Sequence, residues 1–275
     1  MDLLLFIKAF VLGIVEGLTE FLPVSSTGHL IVAGDMLHYE GAEAETFYIA
    51  IQAGAIFAVC WHYRERLISI VSGLFSEPKQ QRLAVNTIVA FLPAAVIGVL
   101  VAKYIKAFLF NAVSVAAALV IGGIIILWIE KLQAAKTYTP RVQEMDDMTW
   151  QDALKVGLLQ CIAMIPGTSR SGATIIGGLV IGLSRKAATE FSFFLAIPTI
   201  FGATVYELWQ ARDLLSADSL PVIGVGFVVS FFSALAVVRW LLQYVAKHDF
   251  TAFGWYRIFF GGIILLTWAT GIVVW

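Results

Sequence analysis

The chain is 275 residues long, 60% hydrophobic and only 13% charged, with a mean hydropathy of +0.87; an ordinary water-soluble domain carries about 25% charged residues. That balance excludes a soluble enzyme, and the long apolar runs exclude disordered, collagen-like and coiled-coil chains, so an all-α polytopic membrane protein is expected. Lys and Arg number 18 against 19 Asp and Glu, a formal net charge of −1; without a basic field no nucleic-acid partner is expected, and any ionic partner is met locally.

The first segment, Leu3 to Leu37, is apolar but broken near its centre by FLPVSSTGHL. Each half falls short of the roughly 20 residues that cross a ~30 Å hydrocarbon core. Interrupted backbone at membrane depth is tolerated only inside protein or beside a wet cavity. The segment therefore reads as a re-entrant helical hairpin, with a kinked span as the plainer alternative. Its start, MDLLLFIKAFVLG, has no basic n-region and no small-x-small cleavage site, so it is expected to remain in the mature protein. Three spans follow, at about Phe47 to Tyr63, Leu83 to Tyr104 and Ala112 to Ile129, and RERLISIVSGLF between the first two suits an interfacial helix. The stretch from Lys131 to Trp150, with Asp146 and Asp147, reads as a solvated connector. A second interrupted segment, Asp152 to Leu183, carries MIPGTSRSGAT and reads as a second hairpin. The remaining spans are Ala187 to Trp209, Leu220 to Tyr244 and Gly254 to Val274. Cys60 and Cys161 lie in apolar runs, outside any metal-ligand or C-x-x-C spacing, and read as core filler.

The two hairpins are related. A shift of 144 positions pairs Gly13 with Gly157, Ser25 with Ser169, Gly28 with Gly172, Ile31 with Ile175 and Gly34 with Gly178, and sets Glu16 on Gln160 and Phe47 on Phe191. The expected organisation is a single integral membrane domain over residues 1–275, with internal repeats at about 1–130 and 150–275. Each repeat is one hairpin and three spans. Three is odd, so the second repeat is inverted, and the two breaks meet at the midplane in one shared site.

Positive charge sets the orientation. With the first hairpin entering from outside, one face holds Arg64, Arg66, Lys79, Arg82, Lys131, Lys136, Arg141, Lys155, Arg185, Lys186, Arg239, Lys247 and Arg257, against Lys8, Lys103, Lys106 and Arg212 on the other. Both termini are then external, and Trp61, Trp209, Trp255 and Trp275 fall near span ends, as an interfacial belt requires.

Ionisable groups within apolar segments are costly and usually functional. Glu16 and Glu20 share one helix face at i, i+4, where like charges repel, and something cationic must offset them. A hard divalent cation, Mg²⁺ or Ca²⁺, would take oxygen ligands there; Arg170 could neutralise one carboxylate instead. Ser25, Ser26 and Thr27 precede His29 in the first break, and Ser169, Ser171 and Thr174 surround Arg170 in the second. This collection fits a phosphate. Arginine forks onto phosphate oxygens, a hydroxyl can attack phosphorus, and histidine can accept the hydroxyl proton. Gln52, Asn86 and Gln160 either line the site or bridge helices. Glu45 and Glu190 suit helix starts, while His38, His62 and His248 suit solvated interfaces.

EGLTEFLPVSSTGH (Glu16 to His29) and PGTSRSGAT (Pro166 to Thr174) resemble the two signatures of the bacterial undecaprenyl-diphosphate phosphatase family of bacitracin-resistance type, and the resemblance covers essentially the whole chain. The type 2 phosphatidic acid phosphatase pattern fits poorly: STGH precedes PGTSRSG, no suitably placed His follows Arg170, and the Lys to Arg-Pro element is absent. The resemblance implies a phosphoric anhydride hydrolase that cleaves C55 isoprenyl diphosphate to the monophosphate and phosphate. That reaction recycles the lipid carrier for peptidoglycan synthesis, cell-wall biogenesis and cell shape, and confers bacitracin resistance. It also implies six crossings with two re-entrant hairpins, a divalent metal, and a bacterial plasma (inner) membrane location with the site facing the periplasmic or outer side.

The assignments that follow make Ser26 the first choice as nucleophile with His29 as its base, Ser25, Thr27 or direct attack by water remaining open. Glu20 and Arg170 complete the catalytic set. Ser25, Thr27, Ser169, Arg170, Ser171 and Thr174 bind the diphosphate, and Glu16 and Glu20 hold the metal. The partners are the lipid substrate and the bilayer, with a homodimer left open. A carrier that moves a phosphate-bearing lipid without cleaving it is the alternative from another class.

Overall fold

The computed structural model of the chain describes residues 3–109, 111–134, 139–210 and 219–271. Helix α1 (Leu3–Thr19) ends ahead of Pro23, which has no N–H to donate, and Ser25, whose left-handed backbone (φ 70°) stops a helix from continuing. Ser25 then starts α2 (Ser26–Met36), its side chain accepting from the Gly28 N–H at 3.4 Å. Helices α3 (Ala42–His62), α4 (Arg64–Gly73), α5 (Pro78–Leu109) and α6 (Ala112–Ala134) follow. A reciprocal Thr149–Asp152 capping box opens α7 (Trp150–Gln160), which tightens through a 3₁₀ turn at Cys161–Met164 into the second break. Helices α8 (Arg170–Val180), α9 (Arg185–Gln210), α10 (Leu220–Val245) and α11 (Thr251–Ala269) complete the described fold.

Six helices, α3, α5, α6, α9, α10 and α11, are long and apolar enough to cross a membrane, in the order expected from the apolar runs. At 1.5 Å per residue α2, α7 and α8 each reach only about 16 Å, well short of a ~30 Å core. Helix α5 starts at Pro78, five residues before the expected boundary at Leu83, because a polar first turn extends the helix beyond its apolar stretch. Lys136, Arg212, Trp275 and the end of the last expected span lie outside the described residues, as do the side chains of Lys103 and Lys106.

The packing exchanges partners between the halves. Helix α1 packs on α10, and its counterpart α7 packs on α5; α3 packs on α10 and α9 on α5; α3 meets α9, and α6 meets α11. Related glycines permit both close crossings. A Cβ on Gly13 would stand 2.7 Å from the Gly226 carbonyl oxygen of α10, and one on Gly157 would stand 2.3 Å from the Ala90 carbonyl oxygen of α5. Small residues give such crossings their close van der Waals contact. Gly157→Val is therefore expected to cost about 1–3 kcal/mol by overpacking, read as a lower Tm in detergent. Gly224→Ala, on α10 with nothing within 4 Å of the added carbon, is expected to leave Tm unchanged.

The segment expected as a solvated connector is exposed at most of its described positions, but it is anchored as a strap by every third residue from Val142 to Met148. Val142 pairs with Leu183 in a short parallel bridge, and Val142, Met145 and Met148 are buried. Asn86 donates to the Met148 carbonyl at 2.9 Å. Asp146 pairs with Arg66 and with Lys79, and Glu144 with Lys186. Nearby, buried Glu130 of α6 pairs with Arg185 and accepts the Phe250 N–H at 2.9 Å, tying α6, α9 and α11 together at one end. Apolar residues three positions apart anchor this strap, while the residues between them keep the exposure that the overall polarity suggested. Cys60 and Cys161 are free and half-buried.

Candidate active site

The second break repeats the first. Ser169 also adopts a left-handed backbone (φ 76°), and its Oγ accepts from the Gly172 N–H at 3.0 Å to start α8. A non-glycine residue held there costs of order 1–3 kcal/mol, a strain that clusters at functional sites. The breaks dock directly on each other: the Ser171 hydroxyl donates to the Leu22 carbonyl at 2.7 Å.

Between them lies a cavity of about 160 Å³, lined by Glu20, Ser25, Ser26 and Thr27 from the first break, Gly167, Ser169 and Arg170 from the second, and Gln52 and Ala163. A hydrogen-bonded chain crosses it. The Ser26 hydroxyl donates to Glu20 Oε2 at 2.6 Å, while Arg170 Nη2 donates to Glu20 Oε1 at 2.9 Å. Arg170 is further held by the Ser192 carbonyl, 3.1 Å from Nη1, and lies 5.6 Å from the centroid of the Phe21 ring. Gln52 Nε2 reaches Glu20 Oε2 at 3.4 Å, so of the three uncommitted amides Gln52 lines the site, while Asn86 ties α5 to the strap. Such a constellation places a hydroxyl, its carboxylate acceptor and a guanidinium around one phosphate-sized space.

The other expected residues stand as follows. Glu16 is buried beside Glu20, and its Oε1 has no hydrogen-bond partner. Ser171 and Thr174 are fully buried behind the cavity lining; Thr174 donates to the Arg170 carbonyl at 2.9 Å and meets the Ser192 hydroxyl at 2.6 Å. Thr174 thus braces Arg170 from behind, while Ser171 ties the second break to the Leu22 carbonyl of the first. His29 is engaged on both ring nitrogens, by the Ser25 carbonyl (2.7 Å) and the Tyr256 hydroxyl (2.6 Å), and stacks on Phe260 with centroids 4.3 Å apart. The hydroxyl of Ser26 thus pairs with Glu20, not with His29. Tyr256 and Phe260 sit in a distant apolar run, with nothing nearby in the sequence to mark them as partners of His29.

One basic residue is not where positive-charge counting put it. Arg257, assigned above to a charged membrane face, is 1% exposed and the largest fully buried side chain among the described residues. The signal that could have found it is its position inside the last apolar run, the criterion that singled out Glu16, Glu20 and Arg170.

A larger cavity of about 550 Å³ adjoins the first, sharing Ala163 and Arg170 with it. Its other walls are mainly apolar, including Phe91, Ala95, Val99, Met164 and Ala203, with Gln160 among them.

A family model described as Bacitracin resistance protein BacA matches residues 9–263, which include both breaks and Arg257. The chain belongs to that family. A protein of Paraburkholderia xenovorans named undecaprenyl-diphosphatase 1 is 60% identical over 276 residues. Proteins named undecaprenyl-diphosphatase from Cupriavidus metallidurans and Aromatoleum aromaticum are 58% and 57% identical over 291 and 275 residues. Each alignment covers 100% of this chain and 99% of the relative. Both breaks of this BacA-family chain therefore fall within the region aligned to each of these relatives.

Proposed function

We propose that this BacA-family protein hydrolyses undecaprenyl diphosphate to undecaprenyl phosphate and inorganic phosphate, and that the cavity between the two breaks is where it does so. Full-length similarity to proteins of that name supports the reaction. The chain from Ser26 through Glu20 to Arg170, joining residues 150 positions apart, carries the site assignment.

In this reading Arg170 holds the terminal phosphoryl group and stabilises the charge that develops on its oxygens. Ser26 Oγ attacks the terminal phosphorus and Glu20 Oε2 takes its proton. As the new O–P bond forms, the P–O bond to the bridging oxygen breaks and the lipid monophosphate leaves with that electron pair. Water then attacks the phosphoserine, releasing phosphate and returning the proton to Ser26. Glu20 replaces His29 as the acceptor because it is the group in hydrogen-bond reach; His29 instead orders the start of α2. The isoprenyl chain occupies the adjoining apolar cavity, which opens beside Arg170 and suits a lipid too apolar for water.

Glu16 and Glu20 would hold a divalent cation, Mg²⁺ or Ca²⁺. The unpartnered Glu16 Oε1 fits this, and among the described residues no cluster of three or more His, Cys, Asp or Glu offers a fuller protein cage, so water and the phosphates would supply the remaining oxygens. Bound there, the cation supplies positive charge against the two carboxylates and the diphosphate. Chelation with EDTA is expected to abolish phosphate release and Mg²⁺ to restore it. Glu16→Gln is expected to raise the Mg²⁺ concentration for half-maximal activity by at least about tenfold, since loss of even a partner behind a ligand costs about 10- to 100-fold in metal affinity.

The domain reading is two inverted repeats in one membrane domain, with both breaks re-entrant. The paired left-handed serines and the exchanged packing of α1 and α7 support it. Basic residues bound into the strap at one end support an orientation with that end cytoplasmic and the site open to the outer side of the bacterial inner membrane. Phosphate release from C55 diphosphate by the purified protein with Mg²⁺ tests the whole reading. Binding without release from folded protein would favour a carrier.

A further inference from the structure

The break carbonyls raise a question that the reacting residues do not answer. A chain that stops being helical leaves carbonyl oxygens without N–H partners, and where water is scarce each must find a donor. Arg257 of α11 supplies donors for both breaks at once. Its Nη1 donates to the Pro23 carbonyl at 3.1 Å and the Thr168 carbonyl at 2.8 Å; Nη2 donates to the Gly167 carbonyl at 3.0 Å and the Ala118 carbonyl at 3.2 Å; Nε donates to the Leu119 carbonyl at 3.3 Å. All three guanidinium nitrogens are used, on main-chain atoms of break one, break two and α6. Among the described residues no carboxylate forms an ion pair with Arg257.

A buried cation without an acid beside it is expensive unless its donors are satisfied. Here carbonyl dipoles do so, which makes the guanidinium a bracket for the backbone rather than half of a salt bridge. The fold leaves room for it: a Cβ on Gly122 would stand 2.2 Å from Nη2. Because each peptide unit is planar, a fixed carbonyl fixes the whole unit. The Thr168 carbonyl belongs to the peptide unit leading into strained Ser169, next to Arg170. The Pro23 carbonyl lies two residues before strained Ser25, next to Ser26.

We propose that Arg257 is a positioning residue which holds the two helix breaks in register, setting where Ser26 and Arg170 stand relative to each other without touching the phosphates. This rests on the reading of Ser26 and Arg170 as the reacting pair. A lysine at 257 keeps the charge, but its single ammonium cannot span the same fork of acceptors. Misplacement by about 1 Å costs of order 10²-fold in rate.

Arg257→Lys is therefore expected to lower kcat by about 10- to 100-fold with KM within about threefold of the parent, since the groups that bind phosphate remain. Gly122→Ala, which keeps Arg257 and its charge but crowds Nη2, is expected to lower kcat about tenfold, again with KM nearly unchanged. Gly262→Ala on α11, with nothing near its added carbon, serves as the control. Ser26→Ala and Arg170→Ala are assayed alongside. If those two are inactive while Gly122→Ala has parental kcat, the Arg257 proposal is overturned and the site reading stands; if those two are active, the site reading itself fails. A raised KM with unchanged kcat in either Arg257→Lys or Gly122→Ala also overturns the proposal, because it would mean that the guanidinium meets the substrate. Should Arg257→Lys not fold, Gly122→Ala alone decides.

Discussion

Arg170→Ala is expected to lower kcat/KM for C55 diphosphate by about 10³-fold or more, the range in which removal of a guanidinium from a phosphoryl-transfer site falls. Two losses combine. The transferred phosphoryl group loses its fork of donors, and Glu20 loses the cation 2.9 Å from its carboxylate. Both partners of that pair are largely buried, so removal of one is also expected to cost stability, about 3–5 kcal/mol. The double variant Arg170→Met/Glu20→Gln separates the two effects, since it removes both charges. It is expected to recover much of the Tm lost in Arg170→Ala and none of the activity. Arg170→Lys, which keeps a charge without the planar fork, is expected to lie between, about 10²-fold down. Near-parental kcat/KM in Arg170→Ala would remove the clamp from the account.

Ser26→Ala is expected to reduce kcat by about 10⁴-fold, with the residual rate coming from water activated in the same cavity. Substrate binding should change little, since Arg170 and the neighbouring hydroxyls remain. Folding should change little too, because the serine's hydrogen bond to Glu20 is only one of that carboxylate's contacts. Acid quenching of the parent during turnover, followed by mass spectrometry of the peptide that contains residue 26, should show an added phosphoryl group on Ser26. Full activity in Ser26→Ala, or no phosphoserine under conditions that trap one elsewhere, would shift the reaction to direct attack by water with Glu20 as its base.

The membrane architecture was legible because it is written in composition. Six apolar runs give six long helices, and two Pro-and-hydroxyl interruptions give the two breaks, where left-handed Ser25 and Ser169 stop a right-handed helix from continuing. The matching spacing of like residues around the two breaks was equally visible, and Gly13 and Gly157 each allow a close approach to a neighbouring helix. Charged residues in apolar surroundings marked Glu16, Glu20 and Arg170 for the same reason of cost. What stayed illegible depends on partners far away in the chain. Ser26 could be seen beside His29, yet α2 carries the imidazole toward Tyr256 and Phe260, and the serine turns to Glu20. Arg257 sits near the start of its helix, where charge counting assigns it to a membrane face; only the folded arrangement shows that carbonyls from two breaks and α6 converge on it. The strap at 139–149 looked polar in sum, while every third residue from Val142 to Met148 is buried.

The central claim is that one phosphoryl group is handled jointly by both breaks. The most direct measurement is the location of orthovanadate, a mimic of the phosphoryl group in flight, in an experimental structure of the protein soaked with it and Mg²⁺. The account predicts vanadium in the cavity bounded by Glu20, Ser26, Thr27, Ser169 and Arg170, bonded to Ser26 Oγ and hydrogen-bonded to the Arg170 guanidinium. Vanadate bound to residues of a single break, or outside that cavity altogether, would contradict it.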